Sequence, residues 1–400
     1  MKTVLLIGDG VSDWPLPELN EKTPLQTAAK PCIDNLCAAG RLGQATMLPA
    51  GVPVGTDTAL LSLLGQDMSR LPSRAHVEAA GMGMILAKDD YAWRLNLVSI
   101  SSDGYMQSHS GGNISADDGH RLIQDLQKDP SFSHQLTKDG FRLYAGSGFR
   151  HLLVHAKDLG ITTIPPHDIL GQQIDPYLPT GDGGKLTELM NRANRFLEQH
   201  PINRERLKTG NLPANGIWAW GGGQGAALIP FSHLYGLKGC CSAAVPVVKG
   251  IAALTGMFIL DIPGATGDLN TDWQAKVTAA MDALKSGYDL ALVHLEAPDE
   301  CAHRGDLQGK IKAIEILDSM AQTLHIGLET LGEHYRLLVM SDHATPVSRR
   351  SHSADPVPFF IYDSQTKPGC GLPFNERTAA STCWQIPGNK LLRLLVECWF

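Results

Sequence analysis

At 400 residues the chain is longer than one hydrophobic core usually supports, so two domains, or one large α/β domain carrying an insertion, are expected. Its 43% hydrophobic and 19% charged residues exclude a disordered or fibrous chain. A net charge of −7 argues against nucleic acid or an anionic membrane as partner, since either calls for a basic face, while a small anionic substrate held by a few local cations stays compatible.

The start, MKTVLLIGDG, has only the run VLLI before Gly8, too short for a signal-peptide core, and no stretch has the length of a membrane span. The eight cysteines show no CxxC spacing of the zinc type and read as reduced thiols of a cytoplasmic protein. TVLLIGDG is a short apolar run ending in Gly-Asp-Gly, as a buried parallel strand delivers a carboxylate at its C-terminal edge. A helix is expected over 31–40, where Ile33, Leu36 and Cys37 share a face between Pro31 and Gly40. In GVPVGTDTALL, a glycine-proline bend leads into a helix over 57–65 that Thr56 or Asp57 can cap. The same helix mouth suits a nucleophilic hydroxyl and a phosphoryl anion.

RLNLVSIS at 94–101 reads as a strand. From 104 to 210 the texture changes to a helix at 115–128, a strand at 150–155, a Pro-Pro loop and a polar helix at 184–199. This stretch reads as an inserted unit, leaving 1–103 and 211–400 as the core. Strands are then expected at 216–221, 240–245, 257–262, 289–296, 336–343 and 357–362, with helices over VVKGIAALTG and near 271–286 and 308–331. Such alternation implies an α/β class with a mostly parallel sheet flanked by helices.

In such sheets function gathers at the carboxyl ends of strands. The first strand ends at Asp9; DLALVHLE runs into APDECAHRGD; RLLVMSDH ends at Asp342 and His343, with His352 following in SRRSH. Asp299 and His303 are spaced i and i+4, so a helical turn puts carboxylate and imidazole on one face, while Cys301 between them reads as a small buried residue. Oxygen and imidazole ligands suit Mn²⁺ or Zn²⁺ first, with Mg²⁺ or Co²⁺ as alternatives, and there are enough for two divalent ions. One set is Asp9, Thr56, Asp342 and His343; the other is Asp299, His303 and His352. Two such ions would clamp an in-line phosphoryl displacement and activate the threonine hydroxyl.

These residues resemble the archaeal-type cofactor-independent phosphoglycerate mutases of the alkaline phosphatase superfamily. The likeness runs nearly end to end, through IGDGVSDWPLPELNEKTPLQTA, VPVGTDTALLSLLG, RLNLVSI, IWAWGGGQG, IPGATGDLNT, HLEAPDECAHRGD, KIKAIEILD and SDHATPVSRRSHSADPVPFFIY. The resemblance implies an alkaline-phosphatase-like core with an inserted smaller α+β cap, both metal sets on the family's ligand positions, and a phosphoenzyme formed on Thr56. It also implies interconversion of 3-phosphoglycerate and 2-phosphoglycerate with no 2,3-bisphosphoglycerate, as in glycolysis.

Three blocks depart from the family pattern. PVGTD replaces PPGSD, so threonine stands for serine; SRAHVEAA replaces GRGPLEAA, keeping Arg74; SGGNIS replaces SAGHIS, placing Asn113 where the family has histidine, with His109 nearby. Arg74, His109, Arg150, His151 and Lys249 are the candidates for gripping a substrate phosphate or carboxylate. The departures open an alternative, a phosphatase, phosphonate hydrolase or phosphotransferase acting on another small phosphorylated metabolite. A catalytically silent binding protein is a third reading, which the intact ligand set opposes. Composition leaves the oligomeric state open.

Overall fold

The run TVLLIG is apolar on both faces of a strand, and it lies between two other strands of a buried sheet, where both faces are covered. The computed structural model describes residues 1–400 apart from 85, 88, 367, 368 and 398–400, so Cys398 lies outside the described residues. In chain order the strands are β1 (Lys2–Gly8), β2 (Arg41–Thr46), β3 (Tyr91–Ile100), β4 (Met106–Ser108), β5 (Phe141–Ser147), β6 (Arg150–His155) and β7 (Gly216–Gln224). They continue with β8 (Gly239–Ser242), β9 (Phe258–Ile259), β10 (Leu290–Leu295), β11 (Tyr335–Ser341), β12 (Val357–Asp363) and β13 (Gln385–Pro387).

The chain divides into two compact units, Met1–Leu71 with Leu228–Phe400, and Pro72–Ala227. Among the described residues of the first, the sheet order is β13-β2-β12-β11-β1-β10-β8-β9. Strands β11, β1, β10, β8 and β9 run parallel to one another. Helices Pro31–Ala39, Trp273–Lys285 and Leu307–Leu331 bury Ile33, Val277 and Leu317 against Val4, Leu6, Val293 and Val339. The alternate residues Leu5 and Ile7 are equally buried, as the period of two demands of a sheet covered on both faces. Helices Thr56–Leu63, Pro246–Leu254 and Gly388–Glu397 pack as a second group.

In the second unit β4, β3, β6 and β5 form an antiparallel sheet, with β7 also paired to β3. Its own core gathers Trp93, Leu95, Leu97, Leu122, Leu153, Leu189 and Trp218. No described helix is long and apolar enough to cross a membrane. The seven described cysteines are free thiols, with Cys301 buried.

Several elements differ from, or add to, the sequence reading. The strands at 94–101 and 216–221 belong to the inserted unit, so that unit begins at Pro72 and ends at Ala227 rather than at 104 and 210. Their register, Leu95 opposite Ala219 and Asn96 opposite Trp218, ties them antiparallel to each other, a partnership that one-dimensional alternation of strand and helix does not reveal. The apolar run 257–262 yields only the two-residue β9. β12 is antiparallel to both β11 and β2. β2 itself carried no strand signal because its sequence, RLGQAT, includes Gly43; a Cβ there would come within 2.7 Å of the Trp384 ring and carbonyl, so close packing dictates the glycine.

Leu317 is fully buried on the longest helix and packs beneath Gly8, just ahead of Asp9. Leu317→Ala should cost about 2–5 kcal/mol in denaturant unfolding of the first unit. A loss under about 1 kcal/mol would show that this face is not close-packed.

Candidate active site

Strand β1 lies between β11 and β10, parallel to both, so three adjacent strands point their carboxyl ends to one edge of the sheet. Asp9 follows the first, and Asp342 and His343 follow β11. After β10 comes the helix Ala297–Arg304, closed by Gly305 in the left-handed region at φ 72°, and Asp299 and His303 stand on one face of it. Thr56 is the first residue of its helix. Gly55 takes the cap position without a side-chain bond, so the Thr56 hydroxyl is not spent on capping. It points instead to Asp9 Oδ1 at 3.5 Å and His343 Nε2 at 3.3 Å.

The structure therefore brings the seven sequence-nominated residues together. Asp9, Asp342 and His343 hold ligand atoms within 4.8 Å of one another, and so do Asp299, His343 and His352. His303 Nε2 lies 3.2 Å from Asp299 Oδ2 and 3.1 Å from His352 Nε2.

Ring tautomers follow from the partners. His303 Nδ1 faces the Arg350 carbonyl and His352 Nδ1 the Val54 carbonyl, each at 3.0 Å. A carbonyl only accepts, so each Nδ1 carries the proton and each Nε2 offers a lone pair. Two lone pairs 3.1 Å apart repel unless a proton or a cation sits between them. His343 Nε2 in turn meets Asp9 Oδ1 at 3.3 Å and Asp342 Oδ2 at 3.5 Å, and that second oxygen is buried with no hydrogen-bond partner. Carboxylates and imidazole lone pairs converging in this way are the set a divalent cation fits.

Burial, and then Asp342 and Asp299, push the Asp9 carboxyl well above its ordinary range. Burial would raise Asp299 as well, but the His303 and His352 rings, when a proton sits on their Nε2 atoms, outweigh it and hold that carboxyl well below. Asp299 in return raises His303 to about 8.

Several supporting residues were not singled out from the sequence. His294, fully buried on β10, lies 3.7 Å from Asp9 Oδ2 and 3.6 Å from Glu296 Oε1. Burial works to raise Glu296, yet its ion pair with buried Lys276, followed by His294, brings it down to about 2. Lys310 pairs with Asp13 at 2.7 Å, both side chains fully buried. The signal for His294 and Glu296 was present as two polar residues at i and i+2 in an apolar strand run.

Lys249 is half-buried on the helix Pro246–Leu254. On the second unit, Arg74 and Arg94 grip the two oxygens of Glu78 at 3.2 and 3.0 Å. The Arg94 guanidinium stacks 4.0 Å over Trp220, and that of Arg150 4.3 Å over Phe149. Asn96 donates to the His109 carbonyl at 2.8 Å and accepts from Trp220 Nε1 at 3.0 Å, fixing both. Burial lowers His109 and His167, whose rings lie 6.1 Å apart. Arg94, His167 and Trp220 extend the cationic and aromatic cluster beyond the nominated residues.

His151 is corrected. It is 2% exposed and its Nδ1 accepts from the Gly146 N–H, so it holds the sheet together and has neither the exposure nor the charge for gripping an anion. Burial depresses its pKa to about 3. Because the unfolded chain takes up this proton near the ordinary value of 6.5 and the folded chain does not, the contribution of His151 to stability is present above about 6.5 and falls as pH drops toward 3. Between pH 7 and 5 the native protein should lose about 2 kcal/mol more than His151→Gln in denaturant unfolding, and equal losses would refute the burial argument.

The chain is similar over nearly its whole length to known proteins. The model of the metalloenzyme superfamily matches residues 1–394. The chain is 41% identical over 401 residues to the 2,3-bisphosphoglycerate-independent phosphoglycerate mutase of Methanothrix thermoacetophila, covering 99% of this chain and 100% of that one. It is 43% identical over 368 residues to that of Methanosarcina mazei, covering 90% of each. Among solved structures, a Pyrococcus horikoshii protein superposes with a TM-score of 0.81 at 28% identity over 99% of this chain and 96% of that one. The cofactor-independent phosphoglycerate mutase of Thermoplasma acidophilum superposes with a TM-score of 0.63 at 26% identity over 99% of both. The core sheet with helices on both faces is thus the alkaline-phosphatase-like α/β fold expected from the sequence. With the superfamily model and these relatives spanning nearly its whole length, the chain belongs to the 2,3-bisphosphoglycerate-independent phosphoglycerate mutases, an isomerase family of the metalloenzyme superfamily.

Proposed function

We propose that the chain interconverts 3-phosphoglycerate and 2-phosphoglycerate through a phosphothreonine formed on Thr56. The observation that carries this reading is the Thr56 hydroxyl, 7% exposed and uncommitted to its helix cap, facing Asp9 and His343 at the ligand-bearing edge of the sheet. Two divalent ions, Mn²⁺ or Zn²⁺, held by Asp9, Thr56, Asp342 and His343 and by Asp299, His303 and His352, would supply Lewis-acid stabilisation of phosphoryl charge and a lowered hydroxyl pKa.

The Thr56 hydroxyl gives up its proton as Oγ1 bonds to phosphorus, and the ester oxygen at C3 leaves and takes a proton. The 2-hydroxyl of the same glycerate then attacks phosphorus and loses its proton, and the Thr56 Oγ1–P bond breaks as Oγ1 regains one. Burial of Thr56 keeps water from competing between the two steps, and the N-terminus of its helix favours the phosphorylated form. Arg74, His109, Arg150 and Lys249 carry the guanidinium, imidazole and ammonium donors that a phosphate or carboxylate takes. The methyl group of Thr56 and the changed blocks at Arg74 and Asn113 favour a second reading, hydrolysis or transfer on another small phosphorylated metabolite.

Phosphorus NMR of the Mn²⁺-loaded protein with 3-phosphoglycerate should show 2-phosphoglycerate; free phosphate in its place would select the hydrolase. Thr56→Ala should lower turnover by about 10,000-fold, whereas Thr56→Ser should stay active; full activity in the alanine variant would remove the nucleophile assignment. Stripping ions with a chelator should abolish turnover. Re-adding Mn²⁺ to about 100 times its Kd should stabilise the fold by about 2.7 kcal/mol in a thermal shift, and an unmoved Tm would refute ion binding.

A further inference from the structure

We infer that the Thr345 hydroxyl is the positioning group that locks the two ion sets to each other, an inference that rests on the two-ion reading above. Thr345 is fully buried two residues after His343. Its Oγ1 donates to Asp299 Oδ1 at 2.5 Å and meets His343 Nδ1 at 3.1 Å. Because an ionised carboxylate only accepts, the hydroxyl proton goes to Asp299, and the hydroxyl oxygen must then accept from His343 Nδ1–H. One hydroxyl therefore sets the tautomer of His343, aims its Nε2 at Asp9 and Asp342, and orients the carboxylate facing His303 and His352.

The hydroxyl is itself held. The Thr345 N–H donates to the Ser12 carbonyl at 3.1 Å, and the Thr345 carbonyl accepts from Lys310 Nζ at 2.8 Å. Lys310 spends its other donors on the Ser12 carbonyl at 3.3 Å and Asp13 at 2.7 Å, so one buried ammonium pins the loop after Asp9 to the loop after His343. Gly10, at φ +58°, leaves the space: a Cβ there would come within 2.5 Å of Thr345 Oγ1 and 2.6 Å of Asp299 Oδ1.

Outer partners of metal-binding histidines and carboxylates typically change affinity by about 10- to 100-fold when removed, and Thr345 is an outer partner of one of each. The test is calorimetric titration of the chelator-stripped full chain with Mn²⁺. The native protein should bind two ions. Thr345→Val, which keeps the shape and both backbone bonds, should weaken both binding steps by about 10- to 100-fold, and Thr345→Ser should restore them. Should the valine variant fail to fold by circular dichroism, Thr345→Ala carries the same expectation. A folded valine or alanine variant that binds both ions as tightly as the native protein overturns the inference and leaves the two-ion reading standing. Weakening of one step alone overturns the locking role. A native protein that binds no Mn²⁺ overturns the two-ion reading and this inference with it.

Discussion

The structure depends on one electrostatic constraint: carboxylates and imidazole nitrogens converge at the edge of the sheet, where a proton or a cation must sit between them. Asp9, Asp299 and Asp342 meet the Nε2 lone pairs of His303, His343 and His352, because carbonyls and a hydroxyl occupy the Nδ1 protons. Unpaired buried charge of this kind costs several kcal/mol per group unless a counter-charge is supplied. A cation bound there would therefore couple its affinity to the stability of the fold, as expected of a candidate socket.

Two buried ion pairs flank that socket. Lys310 with Asp13 joins the loops after β1 and β11, and Lys276 with Glu296 supports β10 beside His294. A buried pair is weak evidence for stability in itself, since desolvation offsets most of the Coulomb attraction. Its value here is geometric: a saturated ammonium with acceptors from separate loops fixes their relative placement in a way that apolar contacts, which lack direction, do not.

The second unit follows a different logic. Its sheet is antiparallel, it has its own core, and its cationic side chains are braced by aromatic rings, Arg94 on Trp220 and Arg150 on Phe149. Glu78 divides its two oxygens between Arg74 and Arg94, which fixes the two guanidinium groups relative to each other.

Most of the candidate site was legible in the sequence, because a parallel strand that ends in a carboxylate, or in Asp-His, advertises itself through an abrupt polar residue after an apolar run. The i and i+4 spacing of Asp299 and His303 needed only a helical turn, and Ala297–Arg304 supplies it. His352 is different: no local periodicity places it, and a carbonyl from Val54, nearly three hundred residues away, turns its ring inward. The antiparallel pairing of β3 with β7, the burial that removed His151 from the substrate candidates, and the roles of Thr345 and Lys310 were likewise beyond sequence reading. Local sequence determined which chemistry each strand end carries, since period and polarity act over a few residues. Tertiary structure decided which hydroxyl, proton and ammonium meet which carboxylate, because hydrogen bonds depend on distances of a few tenths of an ångström between segments far apart in the chain.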